Sequence, residues 1–285
     1  MKAYSIGLYE KAMPENMSWK EKLECAKECG YDFVEISIDE TDEKLSRLEW
    51  SQDERLELVK LMQETGIPLR SMCLSGHRKY PFGSLDPNIR QRSAEIMEKA
   101  IQLADDLGIR IIQLAGYDVY YETGSAESEK LFRENLEKAA KTAASKGIVL
   151  GFETMETEFM NTTEKAMKYV NLVNNPYLGV YPDSGNLTNA AVTYDSSVLE
   201  DLETGRNHIF ALHLKETVPG KFREIPFLTG HVDFESIIAK AWELGVRRYV
   251  TEMWDVGNST WKDDIKFANK SMCDILDKQY EISYI

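Results

Sequence analysis

The chain has 285 residues, 43% hydrophobic and 29% charged, the balance of a soluble globular protein long enough to bury a sizeable core. Lys and Arg total 34 against 48 Asp and Glu; the net charge of −14 repels a phosphate backbone and argues against a nucleic-acid partner. No basic stretch followed by an apolar segment opens the chain, and no window of 18 residues is uninterruptedly apolar, so neither a signal peptide nor a membrane span is expected and the cytoplasm is the expected location.

The first apolar run is Ser5 to Tyr9. From there one punctuation mark recurs: Gly or Asn closes a helical stretch and a short apolar run follows at once. The marks are Gly30, Gly66, Gly108, Gly147, Asn175, Asn207 and Gly245, spaced 28 to 42 residues apart. Gly and Asn tolerate the left-handed conformation that ends helices, and each interval has the length of one strand-plus-helix unit. Ser18, Ser51 and Asp86 suit N-caps, with Pro87 at a first helical position. Over 86–107, Ile89, Ser93, Ile96, Met97, Ala100, Ile101, Ala104 and Leu107 share one side at a 3.6-residue period, and 128–146, 161–174, 233–244 and 261–278 read similarly. Cys25, Cys29, Cys73 and Cys273 do not match a zinc spacing and read as buried free thiols in a reducing compartment.

Eight such units fit either an open doubly wound sheet or a closed barrel. Ser5-Ile6-Gly7-Leu8-Tyr9-Glu10 lacks the Gly-x-Gly-x-x-Gly turn of the open sheet. The expectation is therefore an α/β fold, one (β/α)8 barrel spanning residues 1–285 as a single domain.

In such a barrel the chemistry sits where the strands end. The last four runs close with Glu153, Asp183, His213 and Glu252, on neighbouring sectors of one rim. A glutamate at a strand end is ordinarily a solvated loop residue, and a histidine in Phe210-Ala211-Leu212-His213 ordinarily a core residue. Four at equivalent positions point instead to a site. Three converging carboxylates need a counter-ion, and a ligand set of three oxygens and one nitrogen suits one divalent cation such as Zn²⁺, Mn²⁺, Co²⁺ or Fe²⁺. Glu35 and Gln113 close the second and fourth runs and could hydrogen-bond a polyol. His77, Arg78 and Lys79 follow the third run; Lys215, Lys221 and Arg223 follow the seventh, where barrels often grip phosphate. Trp254 could stack on a sugar or simply pack. His208, at the other end of the barrel, reads as structural; His231 falls in a loop.

Several stretches carry a family resemblance: Gly7-Leu8-Tyr9-Glu10-Lys11-Ala12, Asp32-Phe33-Val34-Glu35, Asp39-Glu40-Thr41-Asp42 with Leu45-Ser46-Arg47-Leu48, Ser71-Met72-Cys73-Leu74-Ser75 with His77-Arg78, and Ile112 through Tyr121. Tyr181-Pro182-Asp183 with Gly185-Asn186-Leu187, His213-Leu214-Lys215 and Glu252-Met253-Trp254 complete the set. The chain resembles the xylose-isomerase-like TIM barrels, and among them the L-ribulose-5-phosphate 3-epimerases. That resemblance implies a metal-dependent epimerase that inverts C3 of a ketopentose phosphate through a cis-enediolate. It implies that Glu153, Asp183, His213 and Glu252 bind one divalent metal and that Glu153 and Glu252 act as the acid/base pair. Substrate or phosphate contacts are expected among Glu35, His77, Arg78, Gln113, Lys215 and Arg223. The expected partner is a small phosphorylated ketose, with neither nucleic acid nor membrane; similar proteins are commonly homodimers. The chain departs from the family pattern after Pro226-Phe227, where Leu228-Thr229-Gly230-His231 stands in place of a Gly-x-Gly turn. The alternatives are an aldose–ketose isomerase on a phosphosugar such as a hexulose 6-phosphate, an endonuclease-IV-like phosphodiesterase, which four histidines and a strong negative charge disfavour, and a non-catalytic barrel.

Overall fold

Local signals start and stop the helices. Ser18 and Ser51 form reciprocal capping boxes with Glu21 and Glu54, and Asp86 accepts from the Asn88 amide ahead of Pro87. Gly66 and Gly108 close their helices at φ 76° and 75°, a conformation that costs a residue with a Cβ. One expected mark shifts by a residue: Asn174, at φ 48°, ends its helix, while the Asn175 side chain accepts from the Tyr177 amide in the turn beyond.

The computed structural model describes residues 2–282. The first half contains β1 (Ser5–Tyr9), α1 (Trp19–Glu28), β2 (Phe33–Ile38), α2 (Asp42–Ser46), α3 (Gln52–Thr65), β3 (Leu69–Leu74), α4 (Pro87–Leu107) and β4 (Ile111–Ala115). The second contains α5 (Ala126–Ser145), β5 (Val149–Glu153), α6 (Thr163–Val173), β6 (Leu178–Val180), α7 (Ser184–Tyr194), α8 (Val198–Thr204), β7 (Leu212–Leu214), α9 (Phe234–Glu243), β8 (Arg248–Thr251) and α10 (Trp261–Ile282). Helix α2 had no counterpart in the sequence reading, and the one helical stretch expected before Asn207 is two helices, α7 and α8.

All strand pairs are parallel, in the order β6-β5-β4-β3-β2-β1-β8-β7, and bridges Val180–Ile209 and Asp183–His213 join β6 to β7. The sheet is thus the expected (β/α)8 barrel. Because side chains alternate along a strand, one parity faces the helices and the other fills the barrel. Leu8, Ile36, Met72, Ile112, Leu150, Val180, Leu212 and Tyr249 belong to the large outer core, with Ile96, Ala100 and Ile265 from the helices. Inside lies a smaller cluster of Tyr9, Phe33, Cys73, Ile111, Tyr181, Ala211 and Val250, above which the interior positions turn polar. Among the described residues no helix is long and apolar enough to cross a membrane.

Candidate active site and metal centre

Four adjacent strands deliver the acidic cluster. Glu153 ends β5, His213 is the middle residue of β7, and Glu252 follows β8 directly. Asp183 lies just past β6, where Asp183 Oδ1 accepts from the Asn186 amide at 2.6 Å and caps α7. All four side chains are buried, and one ligand atom from each lies within 4.8 Å of the others. His213 Nδ1 is 3.1 Å from Glu252 Oε2 and 3.9 Å from Asp183 Oδ2. Lys215 Nζ approaches the same group, 3.2 Å from Asp183 Oδ1 and 3.4 Å from Glu252 Oε2.

Crowding splits the proton affinities. Burial, then the charge of Glu252, pushes Glu153 up to about 8. Burial likewise raises Asp183 to about 7, against the pull of Lys215. Burial disfavours the charged form of Glu252 too, but Lys215 and His213 outweigh it and hold that carboxyl well below the usual range. His213 is held far above an ordinary imidazole: burial opposes its charge, and Glu35 and Glu252 overcome that. Asp183 Oδ2 is buried without a hydrogen-bond partner. An orphaned carboxylate oxygen, beside two further carboxylates and an imidazole nitrogen, is a donor set made for a divalent cation. Among the described residues this is the one cluster of His, Cys, Asp and Glu fit to hold an ion.

The other expected contacts divide. Arg78, Lys215 and Arg223 line a cleft of about 370 Å³ together with Glu153 and Glu252, and Lys221, Glu156, Cys73 and Trp254 contribute to its wall. Arg78 lies over the Tyr117 and Tyr120 rings, 5.8 and 5.0 Å from their centroids, and both hydroxyls donate to Glu156. Arg223 lies 5.6 Å over Trp254. Glu35, Gln113 and His77 are not among the residues that line this cleft. Glu35 does not close its strand: β2 continues to Ile38, and the carboxylate is buried inside the barrel below the cleft. Gln113 likewise points inward from the middle of β4, its amide buried without a partner. His77 sits in a short 3-10 turn that directs it outward; its Nε2 lies 3.2 Å from the Ser93 carbonyl and its ring packs on Phe82 at 4.5 Å.

His77 makes a pH prediction. Burial lowers its pKa to about 4, so the folded chain refuses a proton that the unfolded chain binds near 6.5. Stability is full above pH 6.5 and falls as pH drops toward 4, by about 2 kcal/mol at pH 5. In urea unfolding the native chain should lose about 2 kcal/mol more than His77→Gln between pH 7 and pH 5.

The sequence reading missed a second charged group. Glu10, the first residue beyond β1, is fully buried; it accepts from Lys22 on α1 at 3.1 Å, Lys44 on α2 at 3.0 Å and both Arg47 terminal nitrogens at 2.6 Å. The rule that picked out Glu153, a polar residue closing an apolar run, would have found it. A second cavity of about 300 Å³ is lined by Glu10, Lys22 and Lys44 and shares Lys11 and Trp254 with the main cleft. Lys11 pairs with Asp39 there, and exposed Glu15 and partly exposed Asp255 are its remaining acids.

Comparison with known proteins agrees with the barrel. Residues 23–271 match the xylose isomerase-like TIM barrel family. L-ribulose-5-phosphate 3-epimerase UlaE of Escherichia coli O157:H7 is 46% identical over 254 residues, covering 89% of this chain and 88% of that protein, and UlaE of Shigella sonnei (strain Ss046) matches to the same extent. The chain belongs to the L-ribulose-5-phosphate 3-epimerase family. This family member is accordingly an enzyme of the isomerase class. Solved structures add likeness of fold alone. D-allulose 3-epimerase from Methylomonas sp. superposes with a TM-score of 0.77 at 20% identity, covering 96% of this chain and 98% of that one. A structure described as L-ribulose 3-epimerase gives 0.78 at 16%, covering 99% and 97%.

The epimerase-family loop after Pro226-Phe227 shows how it does without a Gly-x-Gly turn. Leu228 takes the left-handed conformation, φ 64°, that a glycine would adopt freely. Glu216, buried, holds it there by accepting from the Leu228 amide at 3.0 Å and the Val232 amide at 3.1 Å.

Proposed function

We propose that the protein is a 3-epimerase that interconverts L-ribulose 5-phosphate and L-xylulose 5-phosphate with one divalent cation held by Glu153, Asp183, His213 and Glu252. The observation that carries this reading is the meeting of Glu153, Asp183, His213 and Glu252, one ligand atom of each within 4.8 Å of the others, with Glu153 and Glu252 both lining the cleft. When bound, the cation supplies Lewis-acid stabilisation of the negative charge that develops as the C3 proton leaves.

The chain's own groups then account for the proton traffic. Glu252, as a carboxylate, takes the proton from C3, and the C–H electron pair moves into the C2–C3 bond as the carbonyl oxygen gains charge. Glu153, in its acid form, returns a proton to C3 from the other side as the carbonyl re-forms. The reverse reaction exchanges the roles. Two carboxyls on β5 and β8, three strands apart around the rim with β6 and β7 between them, meet this need.

For the substrate's phosphate, the cluster around Glu10 offers the better grip. Arg78 and Lys215 are engaged with Tyr117 and the carboxylate cluster, whereas Lys22, Lys44 and Arg47 bring three charges to the single carboxylate of Glu10. Lys22 and Lys44 line the cavity beside the cleft, where charge-assisted hydrogen bonds suit a phosphate. Lys44→Met leaves Lys22 and Arg47 to neutralise Glu10, so the fold should persist. Losing one charge-assisted hydrogen bond should raise KM for the phosphorylated ketose by roughly 10- to 100-fold and leave turnover of the free ketose unchanged.

The direct test is incubation with L-xylulose 5-phosphate in D₂O after loading with Zn²⁺, Mn²⁺ or Co²⁺, followed by NMR. Deuterium at C3 with formation of L-ribulose 5-phosphate is expected. Label at C1 with an aldose product would identify an isomerase instead, and three bound ions per chain would favour a phosphodiesterase.

A further inference from the structure

Resting on the metal reading above, we propose that Glu35 is the positioning residue of the cation site: it holds the Nε2 proton of His213 and so presents Nδ1 to the carboxylates. Glu35 is on β2 and His213 on β7, 178 residues apart, and they meet across the barrel interior with Oε1 2.6 Å from Nε2. A carboxylate accepts and does not donate, so Nε2 carries a proton toward Glu35, and a cation seated among the ligands would take the place of any proton on Nδ1. The other ring nitrogen is then left facing Glu252 Oε2 at 3.1 Å and Asp183 Oδ2 at 3.9 Å.

The surroundings are built to hold Glu35 in this orientation. Its second oxygen accepts from the Ser71 hydroxyl at 2.6 Å and the Tyr181 hydroxyl at 2.9 Å, and none of its surface is exposed. With three donors satisfied, a buried carboxylate is tolerated, and its charge falls on the ring. The backbone contributes as well. The β2–β3 register shifts between Val34 and Glu35, so that Glu35 faces Ser71 instead of the exposed Arg70. A bulge of this kind re-aims a side chain beside a functional site. Tyr181 also packs edge-on against the His213 ring with centroids 5.0 Å apart, restricting its rotation. A carboxylate behind an imidazole in this way fixes the tautomer and makes the facing nitrogen a stronger donor to a metal.

The test measures cation affinity, with Zn²⁺ alone as the probe, by competition with a chromophoric chelator. The native chain should bind about one Zn²⁺. Glu35→Gln, which keeps the shape and removes the charge, should bind it roughly 10- to 100-fold more weakly. Ser71→Ala perturbs the same buried network without touching the ring and should keep most of the native affinity. Native affinity in a folded Glu35→Gln chain, or an equal loss in Ser71→Ala, would overturn the positioning role. A native chain that takes up no Zn²⁺ would instead sink the metal reading beneath it. Should Glu35→Gln fail to fold, ¹⁵N spectra of the native Zn²⁺-loaded chain decide the matter: a proton on Nε2 of His213 supports the proposal, and a proton on Nδ1 refutes it.

Discussion

Replacing Glu153 or Glu252 with Gln should stop exchange of the substrate's C3 proton with solvent and lower turnover by roughly 10²- to 10⁴-fold. Glutamine preserves size and a ligating oxygen but neither gives nor takes the proton. Each variant should keep the fold, and a Zn²⁺ titration of each beside its turnover separates a lost acid or base from a lost metal. The two differ in stability once the metal is stripped. Glu153, raised to about 8, keeps its proton in the fold over a range where the unfolded chain has released it. Its contribution is full below about pH 4.5 and is lost as pH rises through 8, so Glu153→Gln should melt higher than the native chain at pH 8. Glu252 is shifted the other way, and its carboxylate neutralises Lys215 and His213. Glu252→Gln should melt lower. Solvent exchange at C3 retained in both single variants would remove the two-base reading.

The largest expected effect on folding belongs to Glu10. Its carboxylate is the common acceptor for Lys22, Lys44 and Arg47 and also accepts from the Ser37 amide at 2.9 Å. Burial opposes its charge, but the Arg47 guanidinium and the two lysines hold the group well below the usual carboxylate range. Glu10→Ala leaves three buried cations without a counter-charge. Removing one partner of such a group costs about 3–5 kcal/mol, and the loss should appear in urea unfolding at pH 7. The sign with pH follows from the lowered affinity. Glu10 contributes fully above the unfolded carboxyl range near 4.5 and loses its contribution as acid protonates it, so native chain and variant should converge at low pH. A variant as stable as the native chain at pH 7 would show that the cluster is solvated and would weaken its assignment to the phosphate.

Much of the architecture can be read from short windows. Helix ends at Gly66 and Gly108, caps at Ser18, Ser51 and Asp86, and the polar residues Glu153, Asp183, His213 and Glu252 at or next to strand ends all follow from local rules. Those rules are physical: a positive φ favours Gly, an exposed first turn favours Ser or Asp, and strand and helix periods differ. The same windows failed where a side chain's direction depends on the continuation of its element. Glu35 looked like a strand end because its apolar run is broken by the charge itself, yet the strand runs on for three residues. His77 looked like a loop base near the rim, but its 3-10 turn directs the ring toward α4.

What the chain by itself determined is therefore the order of its units and the identity of the groups at the rim. Closure of the barrel decided the rest. Only closure brings Glu35 to His213, Lys215 between Asp183 and Glu252, and Lys22, Lys44 and Arg47 onto Glu10. The reason is that the inward parity, strand stagger and bulge at Glu35 are set by pairing between distant segments. Proton affinities follow from those distances and from burial, and neither exists until the sheet has closed.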